Sequence, residues 1–155
     1  MSFSIELAAL FSRDLERVAQ EITAFPSDEA LWRTAAGVTN SAGNLALHLE
    51  GNLREYIGRQ LGGLAYTRQR PFEFSATGLT RVEVARRIDD VRHIIPAALA
   101  GAPMDELFPE NVLGPPLSTR QFLLHLLGHL NYHLGQIDYL RRVTTGDGAI
   151  RLAVL

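Results

Sequence analysis

Apolar residues recur every three or four positions along the first part of the chain. The repeated positions are Leu7, Phe11, Leu15, Val18, Ile22 and Phe25. This spacing places apolar side chains on one face of an α-helix, and Pro26 ends the pattern because proline cannot continue a helix. We therefore predict a first amphipathic helix over about residues 3 to 25.

A second helical pattern begins after Asn40 and Ser41, two residues that favour helix N-caps. Its apolar positions are Leu45, Leu49, Leu53, Ile57 and Leu61, followed by Gly62 and Gly63. Glycine commonly ends a helix, so we predict a second helix that ends before this pair. His48 and Asn52 lie beside its apolar stripe.

The next segment, residues 62 to 79, has no regular period and contains glycines and a proline. It is typical of a long crossover between helices, and we expect a short extended piece at Phe72–Phe74. Thr80 and Glu83 then form a capping box before a third helical pattern at Val84, Ile88, Val91, Ile95 and Leu99. We expect this third helix to be kinked or broken near Pro96.

A fourth helix is predicted after a connection rich in proline and glycine at about residues 101 to 117. Ser118 and Gln121 can form a capping box, and the helix should run to about Thr145, before Gly146. Because strand patterns are nearly absent, the chain is predicted to be all-α, a four-helix bundle in a single domain over residues 1 to 155.

Composition agrees with a compact fold, since 46% of the 155 residues are hydrophobic and 21% are charged. A net charge of −2 provides no field that would attract nucleic acid or anionic lipid. Acidic residues without a basic leader argue against a signal peptide, and no apolar run reaches the roughly 20 residues of a membrane span. We expect a cytoplasmic protein with neither nucleic-acid nor membrane partners.

The chain contains no cysteine, so any metal must be bound by imidazole or oxygen ligands. On the fourth helix, His125, His129 and His133 are spaced by four residues, and a step of four turns a helix by about 400°, which places them nearly in line. They occupy positions where the pattern predicts leucine, in a buried seam of Phe122, His125, His129, Tyr132 or His133, Gln136, Leu140 and Val143. Polar groups on a core face need partners.

Two imidazoles one turn apart can chelate a metal ion if a facing helix supplies a third ligand. His48 is the best candidate because it lies near the apolar edge of the second helix, between Asn44 and Asn52. Hydrogen bonding in the core would also explain the histidines. His125 can either donate a hydrogen bond to a backbone carbonyl or contact the metal ligands without binding the ion itself.

Other metal chemistries fit the sequence less well. His93 is expected on the surface. A di-iron site in a helical bundle needs several inward carboxylates with Glu-x-x-His pairs, and the second and fourth helices do not provide them. We therefore do not expect a di-iron centre.

Three stretches resemble the DinB/YfiT-like superfamily of metalloenzymes, in its branch of small DinB-like bacterial proteins. They are NSAGNLALHLEGNLREYI (Asn40 to Ile57), RQRPFEF (Arg68 to Phe74) and HLNYHLGQI (His129 to Ile137). The resemblance implies an up-down-down-up bundle with a long crossover between its second and third helices. It also implies that His48, His129 and His133 bind zinc, nickel or a similar divalent ion.

Superfamily members with known activity resemble thiol-dependent transferases and isomerases, which implies a low-molecular-weight thiol such as mycothiol or bacillithiol as cosubstrate. We expect the ion to activate this thiol, or water, against a small electrophilic substrate. Asn52 and Tyr132 are the candidate contacts to substrate or cofactor, although Tyr132 also fits a core or interface aromatic. Glu50 lies about 200° around the helix from His48 and is not expected to act as a general base there. No catalytic residue is assigned.

The sequence leaves several functions open. A hydrolase would use water where an S-transferase uses a thiol, and a non-catalytic metal-binding bundle or dimeric stress-related protein would use neither. A homodimer is expected because Trp32, Tyr56 and Tyr139 can anchor an interface, although all three also fit a core.

Overall fold

The computed structural model describes residues 2–154, which fold into helices joined by loops. The elements are α1 (Phe3–Thr23), α2 (Asp28–Leu31), α3 (Ala42–Leu53), a π-helical segment that continues α3 (Arg54–Arg59), α4 (Arg70–Ser75), α5 (Arg81–Ala100) and α6 (Thr119–Thr145). Within these residues there is no strand, only an isolated bridge between Leu107 and Ser118. The all-α prediction is confirmed; Met1 and Leu155 of the predicted domain lie outside the described residues. None of the described helices has the length and apolar character that crossing a bilayer requires.

The starts of the long helices follow the predicted capping residues. Ser41, Thr80 and Ser118 are N-caps of α3, α5 and α6, and each forms a complete capping box with the residue three positions later. Gly146 ends α6 in the left-handed region, with φ of 79°, which glycine adopts without steric cost. These local signals therefore fix where the long helices begin and end.

Two details of the prediction are wrong. Phe72–Phe74 is not extended but lies in α4. Pro71 is in the first turn of this helix, where backbone N–H groups have no partner within the helix, so proline's lack of an N–H costs no hydrogen bond. Helix α5 is not broken at Pro96 but continues to Ala100. The ring of Pro96 is exposed, while its neighbours Ile95 and Leu99 are completely buried and hold the helix against the core.

The four long helices share one hydrophobic core. Helix α1 packs against α5 and α6, and α3 packs against the same two helices. The largest buried apolar side chains are Leu7, Phe11, Leu15, Ile22, Phe25, Leu31, Leu47, Leu49, Leu53, Ile57 and Ile88. Helix α3 is buried along its whole length, so that its single histidine, His48, is held in a fixed position opposite α6.

Candidate metal centre

The buried face of α6 is not the one that the sequence analysis predicted. Leucine and isoleucine fill the core at positions 123, 126, 130, 134 and 137, whereas His125, Tyr132 and Val143 are exposed. Apolar side chains take the core face because they need no hydrogen-bond partners there. His129 and His133 consequently lie half-buried at the edge of the core, where a ligand can reach them.

The structure brings His48, His129 and His133 together. Nε2 of His129 lies 3.2 Å from Nε2 of His48 and 3.1 Å from Nε2 of His133. Candidate ligand atoms of all three lie within 4.8 Å of one another. Two nitrogens that each lie ~2.0–2.1 Å from a tetrahedral ion are ~3.3 Å apart, so this spacing is close to what a shared metal ion requires.

Glu73 sets the orientation of His48. Its Oε2 lies 2.9 Å from His48 Nδ1, and because a carboxylate only accepts, Nδ1 is the donor and Nε2 keeps its lone pair. Arg68 donates two hydrogen bonds to Glu73, of 2.6 and 2.8 Å. Burial alone would raise the pKa of Glu73, but the hydrogen bonds from His48 and Arg68 outweigh it and lower that pKa. Glu73 is therefore a buried carboxylate that stays charged.

Two residues of α3 make room for Glu73 and hold α4 in place. A Cβ at Gly51 would lie 2.2 Å from Glu73 Oε1, so only glycine leaves space for the carboxylate. Asn44 donates to the backbone oxygens of Glu73 and Ala76, at 3.1 and 3.0 Å. Helix α4 is thus fixed on α3 at the level of His48.

The two histidines of α6 differ in their outer contacts. His133 Nδ1 lies 2.7 Å from Gln136 Oε1 and donates to it, which leaves the lone pair on Nε2. His129 Nδ1 is buried and has no partner among the described residues. Burial, with the nearby His133 and His48, lowers the pKa of His129 to about 4, and burial lowers the pKa of His133. Both rings are neutral near pH 7, which is the form that binds metal.

This donor set suits a divalent cation. The nitrogens that face one another are the lone-pair atoms of His48 and His133, with His129 between them. The N–H of a neutral His129 can partner only one of these two lone pairs, whereas one cation between the three nitrogens would pair with all of them. The lowered pKa values of His129 and His133 disfavour an added proton as that cation. Imidazole nitrogen is a preferred ligand of zinc and nickel.

Two cavities flank the three histidines. The first, of about 270 Å³, is called the arginine cavity here and is lined by His48, Asn52, Tyr56, Arg68, Arg70, Val112, Leu113, Phe122, His125, Leu126 and His129. The second, of about 630 Å³, is called the tyrosine cavity and is lined by residues 35 to 40 with Leu45, Tyr132, His133, Gln136, Tyr139, Leu140 and Val143. The histidines can thus be reached from two sides.

The remaining predicted site residues fall on opposite sides of the histidines. Asn52 borders the arginine cavity, and its buried Oδ1 has no partner among the described residues. Tyr132 is 64% exposed and borders the tyrosine cavity beside His133, so its interpretation as a core aromatic is wrong. His125 is exposed, stacks on His129 and borders the arginine cavity. His93 is exposed, as predicted, and its polar contacts are with Asp89 rather than with any residue of the site.

Sequence reasoning missed Glu73, Arg68 and Gln136. RQRPFEF was identified as a similar segment, but its glutamate received no role. A charged residue between two phenylalanines was the available signal for a buried, partnered carboxylate. Gln136 lies one turn after His133, and that spacing was the signal for a side chain that contacts the ring.

The fold and the histidine cluster together define a DinB-like protein. The chain is similar to a solved DinB-like protein from Bacillus cereus, with a TM-score of 0.70 and 19% sequence identity, covering 93% of this chain and 95% of the other. A family model described as Mycothiol-S-transferase matches residues 6–146, and the chain belongs to that family. The predicted membership of the DinB-like superfamily is thereby confirmed. A search of curated proteins finds no significant match.

Proposed function

We propose that this protein is a metal-dependent S-transferase that joins mycothiol, or a similar low-molecular-weight thiol, to a small electrophilic substrate. The observation that carries the proposal is the convergence of three histidine Nε2 atoms in a member of the Mycothiol-S-transferase family. His48, His129 and His133 are the proposed ligands of one divalent ion, zinc or nickel. When bound, such an ion lowers the pKa of a coordinated thiol and so supplies a thiolate at neutral pH.

The protein's own groups hold and orient this site. Glu73 and Gln136 fix the rings of His48 and His133 with Nε2 directed inward, as carboxylate and carbonyl partners do for metal-bound histidines. Three protein ligands leave coordination positions for a small molecule, as in catalytic zinc sites. Asn52 and Tyr132 are the proposed contacts for the reactants, one from each cavity.

The two cavities fit a reaction between two substrates. The tyrosine cavity, at about 630 Å³, falls within the ~300–1,000 Å³ typical of sites for drug-sized ligands. We assign it to the thiol, because Tyr132 offers a ring and a hydroxyl group that a polar thiol can contact. The smaller arginine cavity remains for the electrophile.

The experiment is a transfer assay with mycothiol and 1-chloro-2,4-dinitrobenzene, run on the metal-loaded protein with each reactant omitted in turn. Product formation above the uncatalysed rate should need protein, metal and thiol together. His129→Ala should abolish it, and the exposed control His93→Ala should not. Turnover of an ester substrate without thiol would instead indicate a hydrolase, and a metal-loaded protein inactive in both assays would indicate the non-catalytic binding module.

We also propose the finer architecture that the sequence analysis expected: one domain over residues 1 to 155 and an up-down-down-up four-helix bundle with α4 in the crossover. A cytoplasmic location is proposed because a thiol cosubstrate must stay reduced. Polyanions are not proposed as partners, given the net charge of −2.

A homodimer is proposed through the exposed face of α6. Trp32 and Tyr56 pack against the core, which leaves Tyr139, at 65% exposure, as the aromatic anchor for the partner. Analytical ultracentrifugation of wild type and Tyr139→Glu should give a dimer and a monomer, respectively. A wild-type monomer at all concentrations would refute this assignment.

A further inference from the structure

The arginine cavity carries an unbalanced positive charge. Its lining includes the guanidinium groups of Arg68 and Arg70, and it includes no carboxylate. The remaining walls are mostly apolar, for example Val112, Leu113 and Phe122. A small cavity with low-dielectric walls and one sign of charge strengthens the field that a bound ion experiences.

Arg68 forms an ion pair within the protein, whereas Arg70 does not. Arg68 is held by both carboxylate oxygens of Glu73. Arg70 forms no ion pair within residues 2–154; its guanidinium lies 5.6 Å from the ring centre of Phe74, which in turn packs against His48. Arg70 is thus placed beside the metal centre with its charge free.

The nearest acidic residues are engaged elsewhere. Glu55 and Glu110 border an outer hollow that Arg70 also lines. Glu55 pairs with Arg59, and Glu110 accepts a hydrogen bond from Gln60. Arg70, which is exposed, is therefore available to an anion from outside the described chain.

Asn52 provides an independent sign of a ligand. It is only 8% exposed, borders the same cavity, and its Oδ1 is buried without a hydrogen-bond partner among the described residues. Buried polar atoms in folded proteins are nearly always paired. A ligand with an N–H or O–H group would pair this oxygen once the amide of Asn52 rotates toward the cavity, because the oxygen has almost no exposed surface in its present position.

We infer that the arginine cavity binds an electrophilic cosubstrate that carries a carboxylate, with Arg70 binding the carboxylate and Asn52 accepting a hydrogen bond from the same molecule. This inference rests on the proposed function, because that function requires an electrophile next to the thiol. The volume of about 270 Å³ restricts it to a small molecule, since it lies below the ~300–1,000 Å³ usual for drug-sized ligands. Arg70 and Asn52 are then specificity-determining residues.

The test is calorimetric titration of the metal-loaded protein with benzoate and with benzamide, which differ in charge and little in shape. Benzoate should bind about tenfold more tightly than benzamide, as expected for one charge-assisted hydrogen-bonded pair. Arg70→Gln should weaken benzoate about tenfold and leave benzamide unchanged, while Arg70→Lys retains part of the preference. Arg86→Gln, at an exposed arginine paired with Asp90, should match wild type. Equal affinity of wild type and Arg70→Gln for benzoate would overturn the inference.

Two further arms separate the possible sources of a benzoate signal. Metal-free protein should still bind benzoate more tightly than its Arg70→Gln variant does; loss of that difference would mean that the metal, not Arg70, holds the carboxylate. Mycothiol at saturation should not displace benzoate, and displacement would assign the cavity to the thiol instead. None of these readouts requires turnover. Failure of the transfer assay with both 1-chloro-2,4-dinitrobenzene and its carboxylate analogue 4-chloro-3-nitrobenzoate, together with Arg70-dependent benzoate binding, would therefore refute the proposed function and leave the anion subsite standing.

Discussion

At the level of single residues, the outer nitrogen of each imidazole decides how well that ring is held. His48 is oriented by Glu73 and His133 by Gln136, whereas His129 Nδ1 has no partner among the described residues. Hydrogen bonds of this kind select the tautomer and increase the basicity of the ligand nitrogen. Metal affinity should therefore depend on residues that never touch the ion.

Replacing Glu73 by glutamine tests this dependence. Glutamine keeps the shape of the side chain but loses the charge that pairs with Arg68 and polarises His48. We expect metal affinity to fall about 10–100-fold, measured by competition with a chromophoric chelator. Glu16→Gln, on the exposed side of α1, is the matched control and should bind as wild type. An unchanged affinity in Glu73→Gln would refute the role given to the carboxylate.

Gly51→Ala should lower the free energy of unfolding, although a glycine-to-alanine change in a helix usually raises it. In a helix interior this substitution ordinarily stabilises by roughly 0.5–1 kcal/mol. Here the new methyl would overlap Glu73, which cannot move without breaking its bonds to Arg68 and His48, and we expect a loss of about 1–3 kcal/mol.

The control for this change is Gly128→Ala in α6, because no atom lies within 4 Å of the added Cβ. It should stabilise by roughly 0.5–1 kcal/mol. Urea unfolding of both variants gives the comparison directly. Stabilisation by both would show that Glu73 does not occupy the space beside Gly51.

At the level of elements, the long helices could be predicted from sequence and the short one could not. Helices α1, α3, α5 and α6 carry a repeated apolar face. All of them except α1 also begin at a capping residue that is readable without a structure. Helix α4 has six residues, too few for a period, and its position depends on tertiary contacts of Glu73 and Asn44. The sequence also did not show which face of α6 is buried. The leucine positions and the histidine positions form two neighbouring rows along this helix, one residue apart, and the leucines occupy the core.

The position of His129 on α6 predicts how stability changes with pH. Its pKa is about 4 in the folded protein against an ordinary value of 6.5. Below pH 6.5 the unfolded chain therefore binds a proton at this residue, whereas the folded chain binds it only near pH 4. The metal-free protein should therefore lose stability as pH falls through this window, by roughly 1–2 kcal/mol once solvent screening is allowed for.

Denaturant unfolding at several pH values checks this expectation with two variants. His129→Gln cannot titrate and should flatten the slope between pH 6.5 and 4, leaving the smaller part due to His133, whose pKa is also lowered. His93→Gln, at an exposed site, should keep the wild-type slope. An unaltered slope in His129→Gln would contradict the burial of this ring.

At the level of the whole molecule, three separate helices build the site. Helix α3 supplies His48, α4 supplies Glu73, and α6 supplies His129 and His133. Away from these contacts, α6 is tied to α1 by the buried pair of Arg141 and Glu21. The family resemblance and the histidine spacing were sufficient to select the three histidines from sequence. The two cavities were not predictable, because they arise from loops and helix faces that are distant in the chain.

The central claim is that His48, His129 and His133 hold one divalent ion, and elemental analysis of the purified protein tests it most directly. Wild type and His93→Ala, each reconstituted with zinc or nickel and freed of excess metal, should retain one ion per chain. His48→Ala, His129→Ala and His133→Ala should each lose most of it while remaining folded by circular dichroism. Unchanged metal content in both His48→Ala and His129→Ala would contradict the account.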